Sequence, residues 1–288
     1  DVLGRGTPLL TGGPMAFDPL PPAGSTIPGE GTLYFLDEQR ASQGIVRIGF
    51  DPSGDSGHGL LDFNSVFLMG GNQTGARFGG GFTGCSLANV LGAAPGLPAS
   101  LALSPLGDVW VGFKKNPSIF RFNSPRTASS TGFGTCNQFI QVVGTITGDT
   151  SGMTWIGHDL WGADKTGPFV IKNADTNCGV PPNGPCTIGN PNPVLNITNT
   201  LAAVAGTISM TGDQVYPNIN GNNLYFSALA PPLISWAGNA SSFTPAAGPA
   251  AITLDTSWLT TATVTPNLLA SLFPDIGRIN GLAIDSTD

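Results

Sequence analysis

Residues 100–111 read Ser-Leu-Ala-Leu-Ser-Pro-Leu-Gly-Asp-Val-Trp-Val: an alternating apolar run, a tight polar turn, then a short aromatic strand. Alternation over this length marks a β-strand, and Leu106-Gly107-Asp108 supplies residues that tolerate the positive φ of a hairpin. A second turn, Lys114–Pro117, leads into Ile119-Phe120-Arg121-Phe122. The stretch is therefore a meander of three antiparallel strands.

The same phrase returns along the chain. Met15-Ala16-Phe17, Leu33-Tyr34-Phe35 and Ile45-Val46-Arg47-Ile48 make one copy. Met153-Thr154-Trp155, Leu160-Trp161-Gly162 and Phe169-Val170-Ile171 make another, and Val215-Tyr216, Leu224-Tyr225-Phe226 and Leu233-Ile234-Ser235-Trp236 a fourth. A further copy opens at Gly281-Leu282-Ala283-Ile284-Asp285. Onsets fall near Pro14, Ala99, Ser151, Asp213 and Asn280, and a repeat of this length is the signature of propellers and other arrays. Each meander must bury a sheet face, and copies do so by stacking radially on one another. The expected fold is all-β: a single β-propeller domain over residues 1–288, with four clear blades and the start of a fifth. Expected outer strands are Val66–Gly70, Gln138–Thr147, Ala203–Met210 and Ala251–Asp255. Tyr34, Trp110, Trp161 and Tyr225 recur at one blade position, which points to packing between blades rather than to a ligand cage. The last copy has no hairpin partner, which reads as an arc cut from a longer protein.

Composition agrees with this class. Gly (41) and Pro (25) are abundant while only 10% of residues are charged, yet 40% are hydrophobic, so the turn formers punctuate strands rather than signal disorder. The net charge of −7 comes without any basic cluster, which disfavours nucleic acid and anionic lipid as partners. No stretch reaches the roughly 18 apolar residues of a membrane-spanning helix.

Ser100–Val111 and Asn280-Gly-Leu-Ala-Ile-Asp resemble the blade openings of NHL-type β-propeller repeat proteins. The resemblance implies blade architecture and no particular activity, since such folds host binders, scaffolds, lactonases, lyases and oxidoreductases. Pro21-Pro22, His158 in place of a turn Gly, and Tyr216-Pro217 depart from that pattern.

Four cysteines allow three pairings. Cys85–Cys136 with Cys178–Cys186 is preferred because each bond then clips a long irregular excursion. Paired cysteines, sparse Lys and Gly/Ser/Thr-rich loops suit a secreted, extracellular or periplasmic protein. Neither pair has zinc-knuckle spacing.

Chemistry-bearing residues are few. His58 and His158 are the only histidines, and first turns and third-to-fourth-strand loops emerge on one propeller face, so the two share it. With Asp159 they form a candidate transition-metal or proton-transfer site. Asp51 and Asp55, with Asp62 beyond, space carboxylates as calcium requires but lack the regular pattern of an EF-hand loop. Asp18, Ser104 and Asp285 end innermost strands, where they either line a channel or cap turns. No Gly-x-Ser-x-Gly elbow or phosphate loop occurs. The leading expectation is a binding or scaffold module that presents loops to a protein or glycan partner. Its alternatives are a lactonase-like, metal-assisted hydrolase with a divalent cation at the channel mouth, and a secreted metal-binding protein using His58 and His158.

Overall fold

A computed structural model describes residues 15–37, 44–57, 59–71, 98–114, 119–122, 126, 139–143, 150, 152–164, 167–171, 173–177, 186–187, 195–196, 207–228, 234–237 and 240. The first blade is β1 (Met15–Asp18), β2 (Gly31–Asp37), β3 (Gly44–Asp51) and β4 (Leu60–Gly71), paired in that order. The second is β5 (Pro98–Leu103), β6 (Val109–Phe113), β7 (Ile119–Phe122) and β8 (Phe139–Val143). The third opens with β9 (Gly152–Ile156), β10 (Asp159–Asp164) and β11 (Gly167–Ile171). The chain then crosses back to the second blade, where β12 (Cys186–Thr187) pairs parallel to β8, before β13 (Leu195–Asn196) closes the third sheet on β11. The fourth blade has β14 (Thr207–Gly212), β15 (Leu224–Ala228) and β16 (Ile234–Ala237). Consecutive strands within each blade are antiparallel.

Innermost strands lie side by side: β1 against β5, β5 against β9, β9 against β14. This is the radial stacking expected of a propeller. Side-chain alternation then sends each blade's residues to two neighbours. Leu101, Leu103, Val109, Val111 and Phe113 join Tyr34, Leu36 and Ile45 between the first and second blades. Ala102, Trp110 and Ile119 point the other way and join Met153, Trp155 and Leu160 between the second and third. Hence all five β6 residues are buried. Each large apolar side chain so enclosed contributes roughly 1.5–3 kcal/mol. Tyr34 and Trp110 each face the following blade, and Trp110 meets Trp155 edge-on at 5.3 Å.

Two outer strands fall where expected, β4 containing Val66–Gly70 and β8 lying inside Gln138–Thr147. The fourth blade differs. Thr207–Gly212, which overlaps the Ala203–Met210 stretch expected as an outer strand, is the innermost strand of the fourth blade, pairing Met210 with Phe226 and Thr211 with Tyr225. Val215-Tyr216, expected to be that innermost strand, lies in the loop that follows. Pro217 explains the shift, because it removes an amide donor directly after Tyr216 and bars a continuing ladder. Gly152 and Gly212 let β9 and β14 approach closely: a Cβ on Gly152 would stand 2.6 Å from the Met210 amide nitrogen. Ala251–Asp255 and the copy at Gly281 lie outside the described residues.

Candidate functional site at the loop face

First turns and third-to-fourth-strand connections meet on one face of the arc. The loop 213–223, which joins β14 to β15, organises it. Asp213 closes the loop by accepting the Asn222 and Asn223 amides at 2.7 and 3.0 Å and the Asn223 side-chain amide at 2.7 Å. Gln214 then grips the first turn of the third blade: Gly157 N donates to its Oε1 at 2.5 Å, and its Nε2 donates to Gly157 O at 3.1 Å. Tyr216 reaches further, packing on the apolar cluster between the first and second blades. Its hydroxyl stands 2.9 Å from where Gly107 would carry a Cβ, so the second blade's turn passes directly beneath it. One loop of the fourth blade thereby reaches the third blade's first turn, the second blade's first turn and the apolar cluster between the first and second blades.

Beneath Tyr216 lies a polar cluster. Asp18, whose side chain is fully buried, accepts the Leu20 amide at 2.9 Å and stands 2.9 Å from Arg126 Nε. Arg126 O in turn accepts from Arg47 Nη1 and from the Ala23 amide, both at 2.9 Å, tying the second blade's long connection to the first blade. Burial pushes the Asp18 carboxyl above its ordinary value, against the opposing pull of the Leu20 amide and Arg126. Burial also raises the Tyr34 phenol, helped by the negative charge of Asp18, and its hydroxyl has no hydrogen-bond partner among the described residues. Tyr216 is raised in the same way by burial and by Asp18.

A second cluster joins the second and third blades. Arg121 Nε donates to Asp108 Oδ2 at 2.8 Å and its Nη2 bonds the same oxygen, with both side chains buried. Arg121 also covers the Trp110 ring at 5.7 Å and reaches the Asp175 main-chain oxygen at 3.4 Å. Asp175 sits in a single helical turn, Ala174–Asn177, after β11. Its buried Oδ2 lies 2.9 Å from Nδ1 of His158, whose side chain is 41% exposed. Burial raises the Asp175 carboxyl, and His158 and Arg121 pull it back down.

The expected site residues are thus distributed. His158 and Asp159 are where the sequence puts them, in the third blade's first turn, but Asp159 Oδ1 accepts the Asn173 amide at 2.9 Å and so braces the turn. His58 lies outside the described residues. Asp51 Oδ1 accepts from the Ser53 hydroxyl at 2.7 Å and its amide at 2.9 Å, and these bonds, the hydroxyl first, hold its carboxyl below the usual range. Asp55 is exposed in a left-handed turn at φ 47. Among the described residues no three His, Cys, Asp or Glu side chains converge as metal ligands. Ser104 caps its turn, its Oγ accepting the Asp108 amide at 3.1 Å. Cys186 opens β12 at the second blade's edge, while Cys85, Cys136 and Cys178 lie outside the described residues.

Asp175, Arg126 and Gln214 are the residues that sequence reasoning missed. Asp175 was within reach, since it follows a third strand and therefore shares a face with His158. Arg126 and Gln214 carry no local signal. Exposed apolar side chains lie on the first-turn loops, where Leu20, Leu106, Val215 and Ile219 are 45%, 56%, 42% and 47% exposed; Phe17 and Leu60 are also exposed at strand ends of the first blade, as is Met15 at the start of β1. Leu106 and Val215 flank the Gly107–Tyr216 contact, and Leu20 is bonded to Asp18 beneath it.

No protein-family model matches the chain, and no curated protein matches it. Among solved structures it is similar to a nidogen/laminin complex, at 13% identity and TM-score 0.42, covering 73% of this chain and 58% of that one. Similarity extends to the virginiamycin B lyase of Staphylococcus aureus at 12% identity and TM-score 0.38, covering 72% and 48% of the two chains. A glucose dehydrogenase is matched at 12% identity and TM-score 0.38, covering 76% and 68%. The chain thus spans 58% and 48% of the lengths of the first two. The fold assignment rests on the blades themselves.

Proposed function

We propose that this protein is a binding module whose loop face docks a protein partner. The observation that carries the reading is the exposed aliphatic quartet, Leu20, Leu106, Val215 and Ile219, grouped around Tyr216 on first-turn loops of three blades. Exposed apolar groups gathered on one face of a rigid scaffold mark interaction sites more often than chance surface. The charged groups below them, Asp18 with Arg126 and Asp108 with Arg121, are engaged with one another. The exposed Leu, Val and Ile side chains on these turns support a protein surface as the partner. The cysteine count supports placing this module in an oxidising, extracellular or periplasmic setting.

Selection of a displayed random peptide library on the immobilised protein tests the reading. Enriched peptides should carry apolar anchors and should lose about tenfold or more in affinity for the L106D/V215D variant. Peptides that bind this variant as well as wild type would contradict it, as would an array of glycans giving specific binding where peptides give none.

A further inference from the structure

We propose that Asn220 is a site of spontaneous covalent conversion, in which the main-chain nitrogen of Gly221 attacks the Asn220 side-chain carbonyl. The loop then passes from an asparaginyl form to aspartyl and isoaspartyl forms. The chain holds three Asn-Gly steps, Asn183-Gly184, Asn220-Gly221 and Asn280-Gly281. The first and last lie outside the described residues, whereas Asn220 is exposed on the loop 213–223, just before β15.

Packing requires this glycine. A Cβ on Gly221 would stand 2.7 Å from the Gln214 main-chain nitrogen and 2.8 Å from its Cα, so another residue would have to move backbone. The missing side chain also leaves the attacking nitrogen unshielded. The amides on either side are occupied. Asn218 N donates to Val215 O at 2.8 Å, and Asn220 N to Asn218 Oδ1 at 3.0 Å. Asn222 N and Asn223 N both donate to Asp213 Oδ1. Among the described residues the Gly221 amide has no acceptor, and the Asn220 side chain makes no hydrogen bond. The nitrogen and the carbon it attacks belong to adjacent residues, so the burial of Gly221 does not separate them. The exposed Asn220 side chain admits the water that the second step consumes.

In the first step the Gly221 nitrogen loses its proton to hydroxide and bonds to Asn220 Cγ. The side-chain nitrogen leaves as ammonia, which closes an imide ring. Water then adds to one imide carbonyl, and the bond from that carbon to the Gly221 nitrogen breaks. Opening at Cγ gives aspartate, and opening at the main-chain carbonyl gives isoaspartate. The sum is amide plus water to carboxylate plus ammonium, with nothing oxidised or reduced. Both products carry a negative charge where a neutral amide stood, and the isoaspartyl form adds one carbon to the main chain. That carbon enters between the Asn218 turn and the Asp213 clamp, beside a Gly221 packed without slack on Gln214. Gln214 is the residue that grips Gly157 through two hydrogen bonds, so conversion loosens the loop's hold on the third blade.

On the docking reading above, conversion would change how Val215 and Ile219 are presented. The test involves no partner, so its outcome is separate from that reading. Folded protein is held in mildly alkaline buffer beside a synthetic peptide of residues 215–225. Both are followed by peptide mapping and by enzymatic methylation of isoaspartyl groups. Asn220 in the protein should convert within about tenfold of the peptide's rate, because surface loops open at little cost in free energy. Asn220→Gln, whose side chain would have to close a larger and slowly formed ring, should leave this segment unconverted. Amide hydrogen exchange over residues 213–223 should be faster in the isolated isoaspartyl form than in fresh protein. Asn220 left intact once the peptide has fully converted overturns the proposal, and so does conversion found only after unfolding. Equal exchange in the two forms overturns the loosening.

Discussion

Gly107 adopts φ +82 and passes under Tyr216, whose hydroxyl would stand 2.9 Å from an added Cβ. Gly107→Ala should therefore cost about 1–2 kcal/mol in denaturant unfolding from backbone strain alone. It should also change the fluorescence or ring resonances of Tyr216, which a purely local strain would leave untouched. Arg121 makes a sharper case. Replacing it with Met leaves the Asp108 carboxylate buried without its ion partner, and unfolding should become easier by about 3–5 kcal/mol. Arg121→Met combined with Asp108→Leu should recover much of that loss. The two positions differ in legibility. Gly107 was readable, because a Leu-Gly-Asp turn between strands calls for positive φ. The Arg121–Asp108 bond was not, since a lone Arg in an apolar strand says nothing about which carboxylate will neutralise it.

Elements follow the same logic one level up. The close approach of β9 and β14 depends on Gly152, where a Cβ would press on the main chain of Met210 at 2.6 Å. Backbone cannot yield as a flexible side chain would, so Gly152→Ala should cost about 1–3 kcal/mol and lower the thermal midpoint. Gly24→Ala is the contrast: its site is open, and only its φ of +86 resists substitution, so its cost should be smaller. This contact also explains the displaced strand of the fourth blade. Thr207–Gly212 and Val215-Tyr216 both carry short alternating patterns, and alternation alone does not rank them. Two physical facts decide, the missing amide of Pro217 and the glycine pair that admits β14 beside β9. Only the first was visible in the sequence. The three-strand meanders of the first three blades were legible because propensity, periodicity and turn chemistry all agree there.

At the scale of the molecule, the loop face gives the fold its pH response. Asp18 and Asp175 both have folded-state values raised above 3.8 by burial, so the native protein holds these protons more tightly than the unfolded chain. Their contribution to stability is full below 3.8 and is lost as pH rises through the raised folded values. Asp51 acts oppositely, but its support is lost only as pH falls below 3.8 through its lowered value. The denaturation midpoint should accordingly climb as pH falls from neutral toward about 4, and Asp18→Asn should flatten that climb. A midpoint that falls steadily over the same interval would contradict the assignment. The central claim, that the loop face is where a protein partner docks, is tested most directly by titrating a selected peptide into three proteins in a calorimeter. Wild type and Lys114→Glu, altered on the opposite face, should bind alike, while L106D/V215D should bind about tenfold more weakly or not at all. Equal binding by all three, or a loss confined to Lys114→Glu, would contradict it.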